Sequence, residues 1–165
     1  MNFKILPLVK LQKQQNKKGT YKVLVMINQD LLNKLNELSE KLLAIKEVYQ
    51  KLSKVATAKE LQNYFAKRED DFESFSKNMI QLIYKLGGKY EENKNLTEEN
   101  STDLSSILFS KEIKNTSDEI LIKETKHITE KIIEAYKAII SNKELSQKDT
   151  DLLKSQLDEL QLLLN

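Results

Sequence analysis

Arg68 is the only arginine among 27 basic residues. It falls between Phe65 and Phe72 on a line of apolar residues spaced for one helix face. A guanidinium is planar, always charged and rich in donors. Facing inward, it must be paired or must reach water. Arg68 is therefore read as half of a buried ion pair, with Glu124 as its carboxylate. The functional alternative is an anion-binding group inside the fold. Glu124 belongs to a second pattern, Glu124-Thr125-Lys126-His127. Glu-x-x-His supplies metal ligands in di-iron helical bundles. Such a site takes a second Glu-x-x-His and two more inward glutamates, but His127 is the sole histidine. On a helical wheel Glu124 lies at the edge of its apolar stripe and His127 points away from it. Glu37, Glu40 and Glu47 also fall off their stripe. Glu124 and His127 thus form an incomplete metal motif, and no metal or cofactor is expected. The chain has no cysteine, which excludes disulfides, thiolate ligands and a cysteine nucleophile. No phosphate loop, zinc spacing or nucleophile–base pair occurs. No catalytic residue is assigned.

The elements that hold these residues follow from periodicity. Leu31, Leu35, Leu38, Leu42, Ile45, Tyr49 and Leu52 recur at helical spacing. Leu61, Phe65, Phe72, Phe75, Met79, Leu82, Ile83 and Leu86 form a second stripe. Projected on one straight helix, the two stripes differ by about 115°, so the chain must turn near 53–57. Thr57-Ala58-Lys59-Glu60 reads as a capping box for the second helix. Gly87 and Gly88 follow the second stripe directly, and a left-handed glycine there lets later N–H groups reach the last carbonyls. Lys89–Asn100 reads as a long surface loop that carries the chain along the bundle. Leu104, Ile107, Leu108 and Phe109 suggest a short helix. Thr116 to Glu119 reads as another capping box. It opens a third long helix with stripe Leu121, Ile128, Ile132, Ala135, Tyr136 and Ile139. Ser146 caps a fourth, with Leu153, Leu157, Leu160 and Leu164. The fold class is all-α, an up-and-down four-helix bundle over 28–165 with a long loop and a short helix between its second and third helices.

Composition agrees. The 165 residues include one proline and three glycines, with 39% hydrophobic and 32% charged residues. No apolar run approaches the roughly 20 residues of a membrane helix. The net charge of +2 is too small to argue for nucleic acid. Charge is uneven, however. Residues 1–25 carry six lysines and no acid, whereas 26–165 carry 21 basic and 25 acidic residues. Residues 1–27 are read as a basic leader, disordered or extended, or as an extension upstream of a start at Met26. Thr20–Ile27 has strand-like propensity. Contact of this leader with an anionic surface is the alternative role.

Residues 28–164 resemble a small bacterial ferritin-like four-helix-bundle family of unknown function. The likeness rests on order and spacing. Leu31-Leu32-Asn33-Lys34-Leu35 opens the first helix. Tyr64-Phe65 and Phe75 precede Leu86-Gly87-Gly88, with Glu91-Glu92 just after. Phe109 marks the short helix. Glu134-Ala135-Tyr136-Lys137-Ala138 ends the third, and Leu153 and Gln156 lie in the fourth. The chain departs from the family pattern in three places. Ser106-Ile107 stands where a His-Arg pair is expected, leucines near Leu162 replace a late histidine, and Phe72 and Asn78 replace the arginine and glutamate that flank the second-helix phenylalanine. The resemblance implies the fold more than metal chemistry. The function expected is that of a cytoplasmic, non-enzymatic bundle, helper or stress-related, acting through a protein partner or self-association. The alternative is a ferritin-like metal or redox protein whose site is incomplete or shared between subunits.

The leader lies outside the four stripes. A chain beginning at Met26 should therefore keep the helical content and melting midpoint of the full chain by circular dichroism. A clear loss of stability would show that residues 1–25 pack on the bundle.

Overall fold

The computed structural model describes residues 12–15, 21–24, 29–91, 108 and 111–165. Two short strands, β1 (Gln12–Gln15) and β2 (Tyr21–Leu24), pair antiparallel, with Gln12 opposite Leu24 and Gln15 opposite Tyr21. The strand propensity read for 20–27 corresponds to β2. The rest of the described chain is helical: α1 (Gln29–Val55), α2 (Lys59–Lys85), a 3-10 turn (Lys111–Asn115), α3 (Asp118–Ile140) and α4 (Gln147–Leu162). The short helix expected around 104–109 lies largely outside the described residues. Leu108 is fully buried.

The stripes become the core. Leu31, Leu35, Leu42, Ile45 and Leu52 of α1 are fully buried, as are Phe65, Phe72, Met79 and Ile83 of α2. Leu121, Ile132 and Tyr136 of α3 and Leu160 of α4 join the same core. Burying each such side chain stabilises by about 1.5–3 kcal/mol.

Cross-links fix the helix directions. Gln50 Nε2 donates to Glu69 at 3.0 Å, and Lys46 reaches Glu73 at 3.9 Å, so α1 and α2 are antiparallel. The α1–α2 turn touches Asp118 at the start of α3. Leu38 and Lys41, early in α1, share a groove with Ala138 and Ile139, late in α3. These heights make α1 and α3 antiparallel. Lys85, ending α2, binds Asp149, opening α4. Tyr136 binds Gln156 and Lys126 binds the Leu164 carbonyl, so α3 and α4 are antiparallel. A simple up-and-down alternation would reverse direction at every connection. Here α2 and α3 run the same way. The start of α3 therefore lies at the opposite end of the bundle from the end of α2.

The helix ends show why the chain stops where it does. Gly87 has φ 80°. Its N–H donates to the Tyr84 carbonyl, and the Gly88 N–H donates to Ile83, each at 2.9 Å. This is the Schellman pattern that closes a helix. Gly88 is needed for space: a Cβ there would sit 2.7 Å from Leu32 Cδ2. Ser146 caps α4 as expected, accepting from the Asp149 N–H.

Two expected capping boxes are corrected. Ala58, not Thr57, is the N-cap of α2, and its side chain makes no cap bond. Ser117 is the N-cap of α3, likewise without a side-chain bond. A carboxylate from another helix takes the first role. Asp118 accepts from the Thr57 N–H at 3.0 Å, the Thr57 hydroxyl at 2.6 Å and the Ala58 N–H at 3.0 Å. It satisfies orphan donors at the start of α2, where negative charge is favoured.

The Thr57 hydroxyl, and then the Thr57 and Ala58 N–H groups, hold the Asp118 carboxyl below its usual range. A depressed folded value means that its contribution is complete above the unfolded value of about 4. It is lost as pH falls through the folded value. Asp118→Ala should therefore lower the thermal midpoint at neutral pH. Its deficit against the parent should close in strong acid, as read by circular dichroism melts. A deficit independent of pH would show that the cap does not act through the charge.

Candidate functional site

Arg68 makes its ion pair within its own helix. Nη2 lies 2.9 Å from Asp71 Oδ2, with the two side chains 11% and 26% exposed. The ion pair therefore goes to Asp71, three residues along α2, instead of to Glu124 on α3. The guanidinium carbon also sits 5.3 Å from the centre of the Tyr64 ring. The Nε group is buried without a partner. Counting back from the Lys85–Asp149 contact, the regular part of α4 ends level with Phe72.

Beside this position a cleft of about 240 Å³ is lined by Tyr49, Leu61, Tyr64, Ile122, Thr125, Lys126, Thr129 and the chain end at Leu163 and Asn165. Its polar groups are poor catalysts. Burial pushes the Tyr49 phenol well above its usual value. Ionisation of the neighbouring Tyr64 would add to this, while Thr129, the Arg68 charge and Thr125 oppose it. Tyr49 therefore stays protonated at neutral pH. The Thr125 hydroxyl donates to the Ile122 carbonyl at 2.9 Å, and Thr129 donates to Thr125 at 2.8 Å. Neither threonine has a base to activate it.

A second polar group lies in the core. Ser39 of α1, Ser76 of α2, Tyr136 of α3 and Gln156 of α4 are all buried. The Tyr136 hydroxyl donates to Gln156 Oε1 at 2.8 Å. Ser39 donates to the Leu35 carbonyl at 2.9 Å. Ser76 Oγ and Gln156 Nε2 are buried with no partner. Burial, and secondarily the Glu159 charge, push the Tyr136 phenol far up, so it too acts as a neutral donor.

Sequence reasoning singled out Arg68 on its stripe but passed over Ser39, Ser76, Thr125 and Gln156. The same signal would have found them. Each sits three or four residues from a stripe neighbour on both sides: Ser39 between Leu35 and Leu42, Ser76 between Phe72 and Met79, Gln156 between Leu153 and Leu160, Thr125 between Leu121 and Ile128.

The metal motif is not assembled. His127 is exposed, with Nδ1 3.8 Å from Glu130 Oε2, and Glu124 is half-buried. Among the described residues, no three His, Cys, Asp or Glu side chains gather as a metal site. A cleft of about 730 Å³ lies beside Gly88 and is lined by Asn33, Asn36, Glu37, Glu40 and Glu91 among others. Glu37 there is paired with Lys41 at 2.9 Å.

A fully buried pair broken on one side would cost about 3–5 kcal/mol. The within-helix geometry of Arg68 and Asp71 predicts far less. A double-mutant cycle of Arg68→Met and Asp71→Asn should give a coupling of about 0.5–1 kcal/mol in denaturant melts. A coupling of several kcal/mol would restore the deeply buried pair. Compared with protein-family models, curated proteins and solved structures, the chain matches none.

Proposed function

We propose that this chain is a non-enzymatic helical bundle that acts through protein–protein contacts. One observation carries the reading: the placement of exposed apolar side chains. Tyr64, Tyr84, Ile120, Ile122, Leu152 and Leu162 are large and exposed, with Leu162 71% open. None of these is on α1. Tyr64, Ile120, Ile122 and Leu162 belong to the end of the bundle where α4 stops. Single exposed apolar residues are ordinary, whereas several gathered at one end suit a contact surface. The neutral, proton-holding phenols and the committed threonines agree with binding instead of turnover.

A ferritin-like arrangement is the finer fold reading. It is supported by antiparallel neighbours around the bundle, with the second and third helices running the same way across a long connection. This order favours a second functional reading, a metal or redox protein that draws ligands from another subunit. In that case α3 would offer Glu124 and His127.

Sedimentation velocity across a concentration series separates the readings, with metal analysis of natively purified protein alongside. The contact reading expects self-association, or capture of a protein partner, that weakens in an Ile122→Lys, Leu162→Lys double variant. It expects no stoichiometric metal. If parent and double variant remain monomeric and capture the same proteins, the contact surface is wrong. Near one metal per chain, lost on His127→Ala, would favour the second reading.

A further inference from the structure

The two unpartnered atoms in the core lie on adjacent antiparallel helices. Ser76 is nine residues before Lys85 in α2, and Gln156 is seven residues after Asp149 in α4. Lys85 and Asp149 touch, with Nζ 2.6 Å from Oδ1. At about 1.5 Å of rise per residue, Ser76 and Gln156 then stand within about 3 Å of the same height. Both are almost wholly buried, Ser76 at 0% and Gln156 at 3% exposure. The Gln156 Oε1 takes the Tyr136 hydroxyl proton at 2.8 Å, and turning the amide over would only leave its oxygen without a partner in place of Nε2. Leaving a buried amide N–H unmade is costly. Native interiors avoid this with protein partners or with an internal water that bridges two or more polar groups.

We propose that α2 and α4 hold one internal water at this height, bound between Ser76 Oγ and Gln156 Nε2. The water accepts from the amide N–H. It donates to the serine oxygen, or accepts from the serine hydroxyl. Both neighbours are uncharged and so is Tyr136, which suits water over an ion: nothing in this group would offset a buried charge. Ser39 shows the competing solution on α1, where the hydroxyl bonds back to the Leu35 carbonyl at 2.9 Å. Ser76 does not take it, although the Phe72 carbonyl is the equivalent acceptor in its own helix. The site does not rest on the proposed contact function, since it lies in the core and away from the exposed apolar end.

A crystal structure of the full chain tests this directly. The expected result is a well-ordered water peak within about 3 Å of both atoms, absent in Ser76→Val, whose second methyl takes the space. Ser76 bonded to the Phe72 carbonyl with no such peak would overturn the site. So would a direct Ser76–Gln156 hydrogen bond. Melting of Ser76→Ala, Gln156→Met and their double variant gives a second reading in solution. A shared water predicts that the double variant loses less midpoint than the sum of the singles, whereas strict additivity overturns the bridge.

Discussion

Tyr49 lies where three helices meet, and its phenol must suit all of them. Its ring centre is 5.8 Å from that of Phe65 and 5.2 Å from that of Phe72, which joins α1 to α2. Its side chain lines one cleft with Thr125 and Thr129 of α3. A buried aromatic contributes a large apolar area but carries a polar end that needs a partner. Both threonines give their own protons to carbonyls in α3, so their oxygens are left as acceptors on the wall of that cleft. One side chain thus joins the apolar α1–α2 seam to a hydroxyl-lined surface of α3. A phenylalanine at this position would keep the seam and lose the polar end.

Charged links between helices stay near water, either on the outer face of α1 and α2, as Lys46 with Glu73, or at helix ends. Asp118 holds the α1–α2 turn, and Lys85 reaches Asp149 at the start of α4. Burial of Asp149 would raise its carboxyl, but Lys85, Ser146 and the nearby Lys148 outweigh it and keep the group below its usual range. Lys85 itself is 52% exposed, so half of the pair stays hydrated and the desolvation cost of a buried ion pair is mostly avoided. The neutral link of Tyr136 with Gln156 is buried in the core. Polar contacts such as these set helix heights, while apolar stripes set only which face turns inward. An apolar stripe alone tolerates a slip of one turn, and a hydrogen-bonded layer does not.

Periodicity made the four helices legible, because each exposes one apolar stripe and the chain is poor in proline and glycine. The Gly87-Gly88 pair was legible as a stop, and the structure divides its work: Gly87 supplies the left-handed turn, and Gly88 supplies room for Leu32. The caps at Thr57 and Thr116 were misread. Local spacing cannot show that a carboxylate 61 residues away will take the donors. The partner of Arg68 was misread for the opposite reason. Glu124 was sought across the bundle when Asp71 stood three residues along. The core polar residues were missed because serine and threonine can satisfy themselves on their own helix. Their presence on a stripe does not announce a partner as a charged residue does.

The direction of the chain and the length of α4 account together for the unusual end of the molecule. α4 has 16 residues against 27 in α2, about 24 Å against 40 Å of helix. Its start is pinned by Asp149, so the shortfall appears wholly at the other end. There the first turns of α2 and α3 and the last of α1 lack a fourth helix. Arg68 lays an apolar stem on the helix and a flat cation against the Tyr64 ring, with Asp71 fixing its head. Tyr64, Ile122 and Leu162 are exposed at the same end, beside the hydroxyl-lined cleft over Tyr49. The lone arginine, the exposed apolar residues and the cleft thus share one end of the bundle.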